Sequence, residues 1–272
     1  MSPIASSSPS RGPAAKALLW AGLLWFLIAA VGQTAFIGFI VAYYGVRTAT
    51  GNFAGWNDKP LIDGYIAGDD TGNIVFAAHV LLAAVVTLGG LMQLIPAIRR
   101  RWPGLHRWTG RTFLVLAIVM ALSGVWLALV RGTYLSTISN VAILINAVLI
   151  LIFAGLAWRH AVARRFEQHR KWAMRTFMVV SGVWFLRVGL MGWIVLNRGP
   201  AGLTADMSGL VDSVMTFGSY LIPLAVLELY FVAQRSSGAL LKILAAVVVV
   251  AAAAYTALGV FGTAAFMWAP YL

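Results

Sequence analysis

Four histidines, a cluster of arginines and two isolated charges inside apolar runs are the residues of this sequence best suited to chemistry. His79 lies about five residues, or ~7 Å at the helical rise, inside one end of an apolar run. Ionisable groups at that depth are rare and face a bundle interior or a cavity. As an axial haem ligand or proton-relay group, its imidazole would stay neutral in apolar surroundings and keep a nitrogen lone pair for iron. The competing reading is a neutral ring bonded to a polar neighbour such as Gln33 or Asn140. His106, His160 and His169 gather at the opposite end of the runs, on three chain segments. Ring nitrogens from facing helices of a four-helix bundle could clamp a haem there. The alternative is ordinary interfacial histidine at a lipid headgroup layer, the simpler account for His160.

His106 and His169 each head a similar segment, His106-Arg107-Trp108-Thr109-Gly110-Arg111-Thr112-Phe113 and His169-Arg170-Lys171-Trp172-Ala173-Met174-Arg175-Thr176-Phe177. The echo suggests parallel repeats, with chance similarity between basic loops as the alternative. Arg107, Arg111, Arg170 and Arg175 present planar forks suited to phosphate or carboxylate: phospholipid headgroups most simply, or haem propionates, a quinone or an anionic substrate. Arg187 stands near the middle of the fifth run, where a charge costs roughly 2.5 to 3.5 kcal/mol and so requires a partner. Glu228 is the one acid inside an apolar run, and an Arg187–Glu228 ion pair is expected, although Glu228 counts about 10 Å nearer the basic end. An anion or a propionate is the second reading for Arg187. With no cysteine, any metal must use His, carboxylate or a cofactor, and the candidate is haem iron held by His79, His106 and His169. No Gly-rich phosphate loop, HExxH pair or Ser/His/Asp order is present.

The elements that must position these residues are membrane helices. Of 272 residues, 61% are hydrophobic and 10% charged, against about 25% charged in soluble domains, which excludes a soluble globular protein. Apolar runs at 17–44, 74–98, 110–131, 137–158, 173–196, 214–234 and 240–267 are each long enough to span a bilayer. The expected architecture is all-α and polytopic: a short tail over 1–16, then one transmembrane domain over 17–272, with helices two to five forming a four-helix bundle. The first run lacks a small-x-small cleavage site and reads as a retained anchor. Pro223 predicts a kink in the sixth helix.

The net charge of +12 invites comparison with nucleic-acid binders, but its placement points to a bilayer and anionic headgroups instead. Fifteen basic residues fall at one end of the runs and four at the other, placing the N-terminus in the cytoplasm and the C-terminus outside a bacterial inner membrane. In the longest loop, 45–73, Asp69 and Asp70 read as helix caps.

On His79, Gln93, the segment Pro103 to Arg111 and the segment His169 to Arg175, the sequence resembles a bacterial family of predicted multi-pass membrane proteins of unknown function. That family carries a helix-borne His, an H-R-x-x-G-R loop and a later H-R-x-W-M-x-R-like segment. The resemblance covers roughly helices two to six and implies a fold without an activity. More distantly, the chain is similar to transmembrane b-type di-haem cytochromes and ferric-reductase-like bundles, which implies histidine-held haems. Those bundles place a His pair near each face, whereas this chain has only His79 near the outer one. Two functions follow as expectations: a membrane redox protein binding b-type haem or quinone, and a non-redox lipid or small-molecule carrier or assembly factor with anion-binding Arg and His.

Overall fold

The computed structural model describes residues 12–59, 62–133 and 135–272; residues 1–11 of the expected tail lie outside them. All regular elements among the described residues are helical. Helix α1 (Pro13–Phe39) starts on a proline, whose missing N–H is no loss at a helix start, and continues through a π-helical stretch, Ile40–Gly45, to a last turn at Val46–Ala49. Helix α2 (Asp70–Leu94) is capped by the Asp69 carboxylate, which accepts the Gly72 N–H at 2.9 Å. A short helix, Pro96–Arg101, leads into α3 (Pro103–Leu129). The Ser136 and Ser139 capping box opens α4 (Thr137–Val162). Next come α5 (Phe166–Val180), α6 (Gly182–Asn197), α7 (Leu210–Arg235) and α8 (Ala239–Gly262), the last running into a second π-helical stretch, Thr263–Trp268.

Among the described residues, six helices are long and apolar enough to cross a membrane, and α5 with α6, bent by 54° at Ser181, make a seventh span when taken together. Both α3 and α5 begin seven residues before their apolar runs, because their first two turns are polar yet helical. The molecule therefore has a basic end, where α3 and α5 begin, and a loop end, which carries the long segment between α1 and α2.

The break at Ser181 has a polar cause. Asn146 on α4 donates its amide to the Val179 carbonyl at 3.1 Å, and Gln33 on α1 donates to the Ser181 hydroxyl at 3.0 Å. A carbonyl freed from the helical ladder in an apolar core must find such a donor. Asn146→Leu is expected to cost about 1 to 3 kcal/mol by stranding that carbonyl. The thermal midpoint of the detergent-solubilised protein measures this. Asn140→Leu, whose carbonyl oxygen has no partner, is the control and should change the midpoint little.

Helices α2, α3, α4 and α5 are successive neighbours, as expected of a bundle. Its middle is filled by Phe113 and Phe177, which meet over Gly90, where a Cβ would lie 3.1 and 3.0 Å from the two rings. Helix α1 packs along α8, and α8 along α6, on the other side of the molecule.

Candidate functional site

The two echoed segments occupy the same place in their helices, His106 and His169 each being the fourth residue, of α3 and α5 respectively. His169 Nδ1 lies 2.9 Å from the Ala157 carbonyl. A carbonyl only accepts, so Nδ1 carries a proton, and in the neutral ring the lone pair is on Nε2. His106 and His160 lie within electrostatic reach of His169, and each has a buried Nδ1 without a partner among the described residues. No group of three His, Asp or Glu side chains able to hold a metal ion occurs among the described residues. The H-R-x-x-G-R segment has a packing role: Gln93 donates to Thr109 Oγ1 at 2.6 Å, and a Cβ on Gly110 would sit 2.8 Å from the Gln93 carbonyl oxygen.

Arg107, Arg111 and Arg170 are exposed, with Trp102 and Trp108, in the manner of a headgroup belt. Arg175 differs. Its Nε and Nη2 donate to both oxygens of Glu228, at 2.6 and 2.9 Å, and its guanidinium lies 4.4 Å from the Trp172 ring centroid. The expected Arg187–Glu228 pair is thus replaced by Arg175–Glu228. Height along the helices is the reason. Arg175 stands nine residues into α5, ~13 Å, and Glu228 seven residues from the end of α7, ~10 Å.

His79 is bound by neither Gln33 nor Asn140. Its Nδ1 lies 2.8 Å from Ser123 Oγ, which itself donates to the Met120 carbonyl at 3.2 Å. With the serine proton assigned to that carbonyl, His79 Nδ1–H is the donor and Nε2 the acceptor left over. The other three histidines lie at the basic end, so no second imidazole faces His79.

At the loop end Arg131 ties the long segment down, donating to Asp69 at 3.1 Å, Asn73 at 2.8 Å and the Gly64 carbonyl at 3.1 Å. Lys59 is half-buried there, its backbone N–H donating to the Tyr43 hydroxyl, with the Arg47–Asp58 pair alongside. Burial first, and the charge of Arg187 second, push its ammonium down to about 8. At pH 8 about half of Lys59 is then free amine, against roughly 0.4% of a lysine of pKa about 10.4. Between those values the unfolded chain binds more protons here than the folded one, so this group adds stability as the pH rises through that window. An amine-acylating reagent at pH 8 is expected to modify Lys59 faster than exposed Lys16. Equal rates at the two positions, read by peptide mass spectrometry, would contradict this.

A separate concave feature carries none of these side chains. A cleft of about 620 Å³ opens between α1, α5, α6, α7 and α8. Val214, Gly218, Ile222, Val226 and Tyr230 line it at four-residue spacing along one face of α7, over 16 residues or ~24 Å. Across from them stand Phe185, Gly189 and Trp193 of α6 and Met174 and Met178 of α5. Three of the four hydroxyls in its wall are spent on backbone: Tyr255 donates to Gly189 O, Ser219 to Thr216 O and Thr256 to Ala252 O, and the fourth, of Tyr230, makes no hydrogen bond among the described residues. Its walls therefore offer almost purely apolar contact over most of the ~30 Å hydrocarbon thickness. The bend at Ser181 and the bare Gly189 and Gly218 open this space. Glycines facing one another across helices were the available sequence signal, but it is indistinguishable from that of close helix packing.

Six continuous spans and one broken span define a multi-pass, all-helical integral membrane protein. Residues 76–231, from α2 into α7 and more than half of the chain, match the family Predicted membrane protein (DUF2306), and the protein belongs to that family. No curated protein and no solved structure matches the chain. The matched stretch holds His79, the basic-end histidines and the Arg175–Glu228 pair, whereas all of α1 and α8, which close the cleft, lie outside it.

Proposed function

We propose that the protein is a non-redox lipid carrier, holding an acyl or isoprenoid chain in the cleft between α1 and α5–α8. The cleft itself carries this reading. Ligand sites are typically concave, mostly apolar and about 300 to 1,000 Å³, and this one is also as tall as an extended chain needs. Because bulk lipid is equally apolar, shape and depth must supply the selectivity. Exposed Arg107, Arg111 and Arg170 at the basic end suit an anionic headgroup. Protein purified through delipidating detergent should keep about one lipid per chain, released only by organic solvent. Protein that emerges lipid-free and takes up no fluorescent polyene fatty acid would overturn the reading.

His169 favours a second reading, because its fixed Nδ1–H leaves Nε2 directed as a ligand. A b-type haem or quinone would be held at the basic end by His169 and His106, with Arg107, Arg111 and Arg170 toward its polar groups. The group would supply one-electron transfer. The residues' own part is to fix the tautomer and balance anionic charge. Protein made with ample haem should then show a Soret band that shifts with dithionite and diminishes in His169→Ala; colourless protein rejects the haem form of this reading.

A further inference from the structure

Arg187 lies in α6 ten residues, ~15 Å, from the loop-end terminus of that helix. All eight acids of the chain are among the described residues, and the ion pairs they form go to Arg47, Arg131, Lys171 and Arg175. Arg187 has no counter-charge among them. Its Nη1 donates to the Val183 carbonyl at 3.0 Å and its guanidinium lies 5.6 Å from the Phe36 ring centroid, which leaves the charge unneutralised. Ring contacts lead from it to the other polar groups: Phe36 and Phe39 flank Trp268, Phe39 meets Tyr44 of α1 at 6.2 Å, Tyr44 meets Phe76, three residues before His79 on α2, at 6.1 Å, and the backbone N–H of Lys59 in the loop donates to the hydroxyl of Tyr43, next to Tyr44. The Tyr44 hydroxyl and Lys59 ammonium make no hydrogen bond among the described residues, and His79 Nε2 is a free acceptor.

The backbone around this arginine is unusual on two sides. The π-helical stretch of α1, Ile40–Gly45, and the one after α8, Thr263–Trp268, converge there: Phe36 and Phe39 both stack on Trp268 at 5.6 Å, and Thr263 Oγ1, which donates to the Gly259 carbonyl at 2.7 Å, lies 3.3 Å from the Arg187 carbonyl. Single π-helical turns within α-helices occur frequently at functional sites.

We propose that Arg187, Lys59, Tyr44 and His79 form a binding site for an oxyanion that also carries a hydroxyl, such as dihydrogen phosphate, a phosphate-bearing headgroup or a hydroxy acid, reached from the loop end. The guanidinium fork and the lysine charge meet the anionic oxygens, Tyr44 donates a hydrogen bond, and the ligand hydroxyl donates to His79 Nε2. The site is independent of the cleft, since Arg187 lies on the face of α6 opposite Phe185 and Gly189.

The test is calorimetric titration of the full chain in phosphatidylcholine nanodiscs with inorganic phosphate, lactate and propionate, repeated with phosphatidylglycerol in the disc. Phosphate and lactate should bind saturably and propionate at least tenfold more weakly. Arg187→Met should lose at least tenfold in affinity while matching or exceeding the wild-type thermal midpoint without ligand, because it removes a charge that has no partner. Binding suppressed only in phosphatidylglycerol discs identifies the headgroup as the natural source, and binding unchanged there a free anion; both support the site. Should Arg187→Met not fold, Lys59→Met in the loop serves instead, with the same loss expected. No binding of any probe, or binding unaffected by these substitutions, overturns the proposal.

Discussion

Arg175→Met is expected to destabilise the protein by about 2 kcal/mol, because it leaves Glu228 charged and unpaired among apolar helices. Glu228→Met should cost a similar amount by stranding the arginine. The double variant should regain most of the loss, since an ion pair replaced by two apolar side chains of similar volume sheds its desolvation cost along with its attraction. The bidentate geometry, at 2.6 and 2.9 Å, with the Trp172 ring against the guanidinium, makes this the strongest polar link between α5 and α7. Denaturation in mixed micelles measures all three variants. Additive losses in the double variant would show that the two residues act separately. Arg187→Met with wild-type Glu228 should show no such penalty, which separates the pair observed from the one the sequence suggested.

Gly189→Phe should abolish lipid retention, by at least tenfold, while leaving the fold intact. A Cβ at this position would meet only Met215 Sδ, at 3.9 Å, so an aromatic ring would project into the cleft without displacing backbone. Filling a void adds contacts, and the thermal midpoint of the lipid-free variant should equal or exceed that of the lipid-free parent. Gly155→Phe on α4, with nothing within 4 Å of its Cβ and a position outside the cleft lining, is the matched control and should retain lipid normally. Equal lipid content in the two variants would place the bound molecule elsewhere.

The spans were legible because twenty or so apolar residues in a row have few other uses. Their polar beginnings were not. Hydropathy registers the greasy part of a helix, so α5 seemed to start at 173 although it forms from Phe166, and Arg175 looked terminal when it is two and a half turns deep. That misplacement gave Glu228 the wrong partner. The break at Ser181 was hidden for a related reason: Ser-Gly inside an apolar run reads as tolerated small residues until Gln33 and Asn146, distant in sequence, arrive to hold the interruption open. Pro223, read as a kink, lies inside one helix that runs from Leu210 to Arg235. Among polar residues between helices, His79 takes Ser123 instead of Gln33 or Asn140, and Asn146 takes a carbonyl; which partner each takes depends on helix rotation, which a sequence of weak amphipathicity does not specify. The cleft escaped notice because it is made of absent side chains.

The most direct measurement is photo-crosslinking in reconstituted membranes with a phospholipid whose acyl chain carries a diazirine, followed by peptide mapping. Adducts should concentrate on Met178, Trp193 and Met215 in the cleft, persisting after excess unlabelled lipid has removed those on outward-facing Val119 and Leu122 of α3. Labelling that is uniform over all five residues and is competed away at every one equally would contradict it.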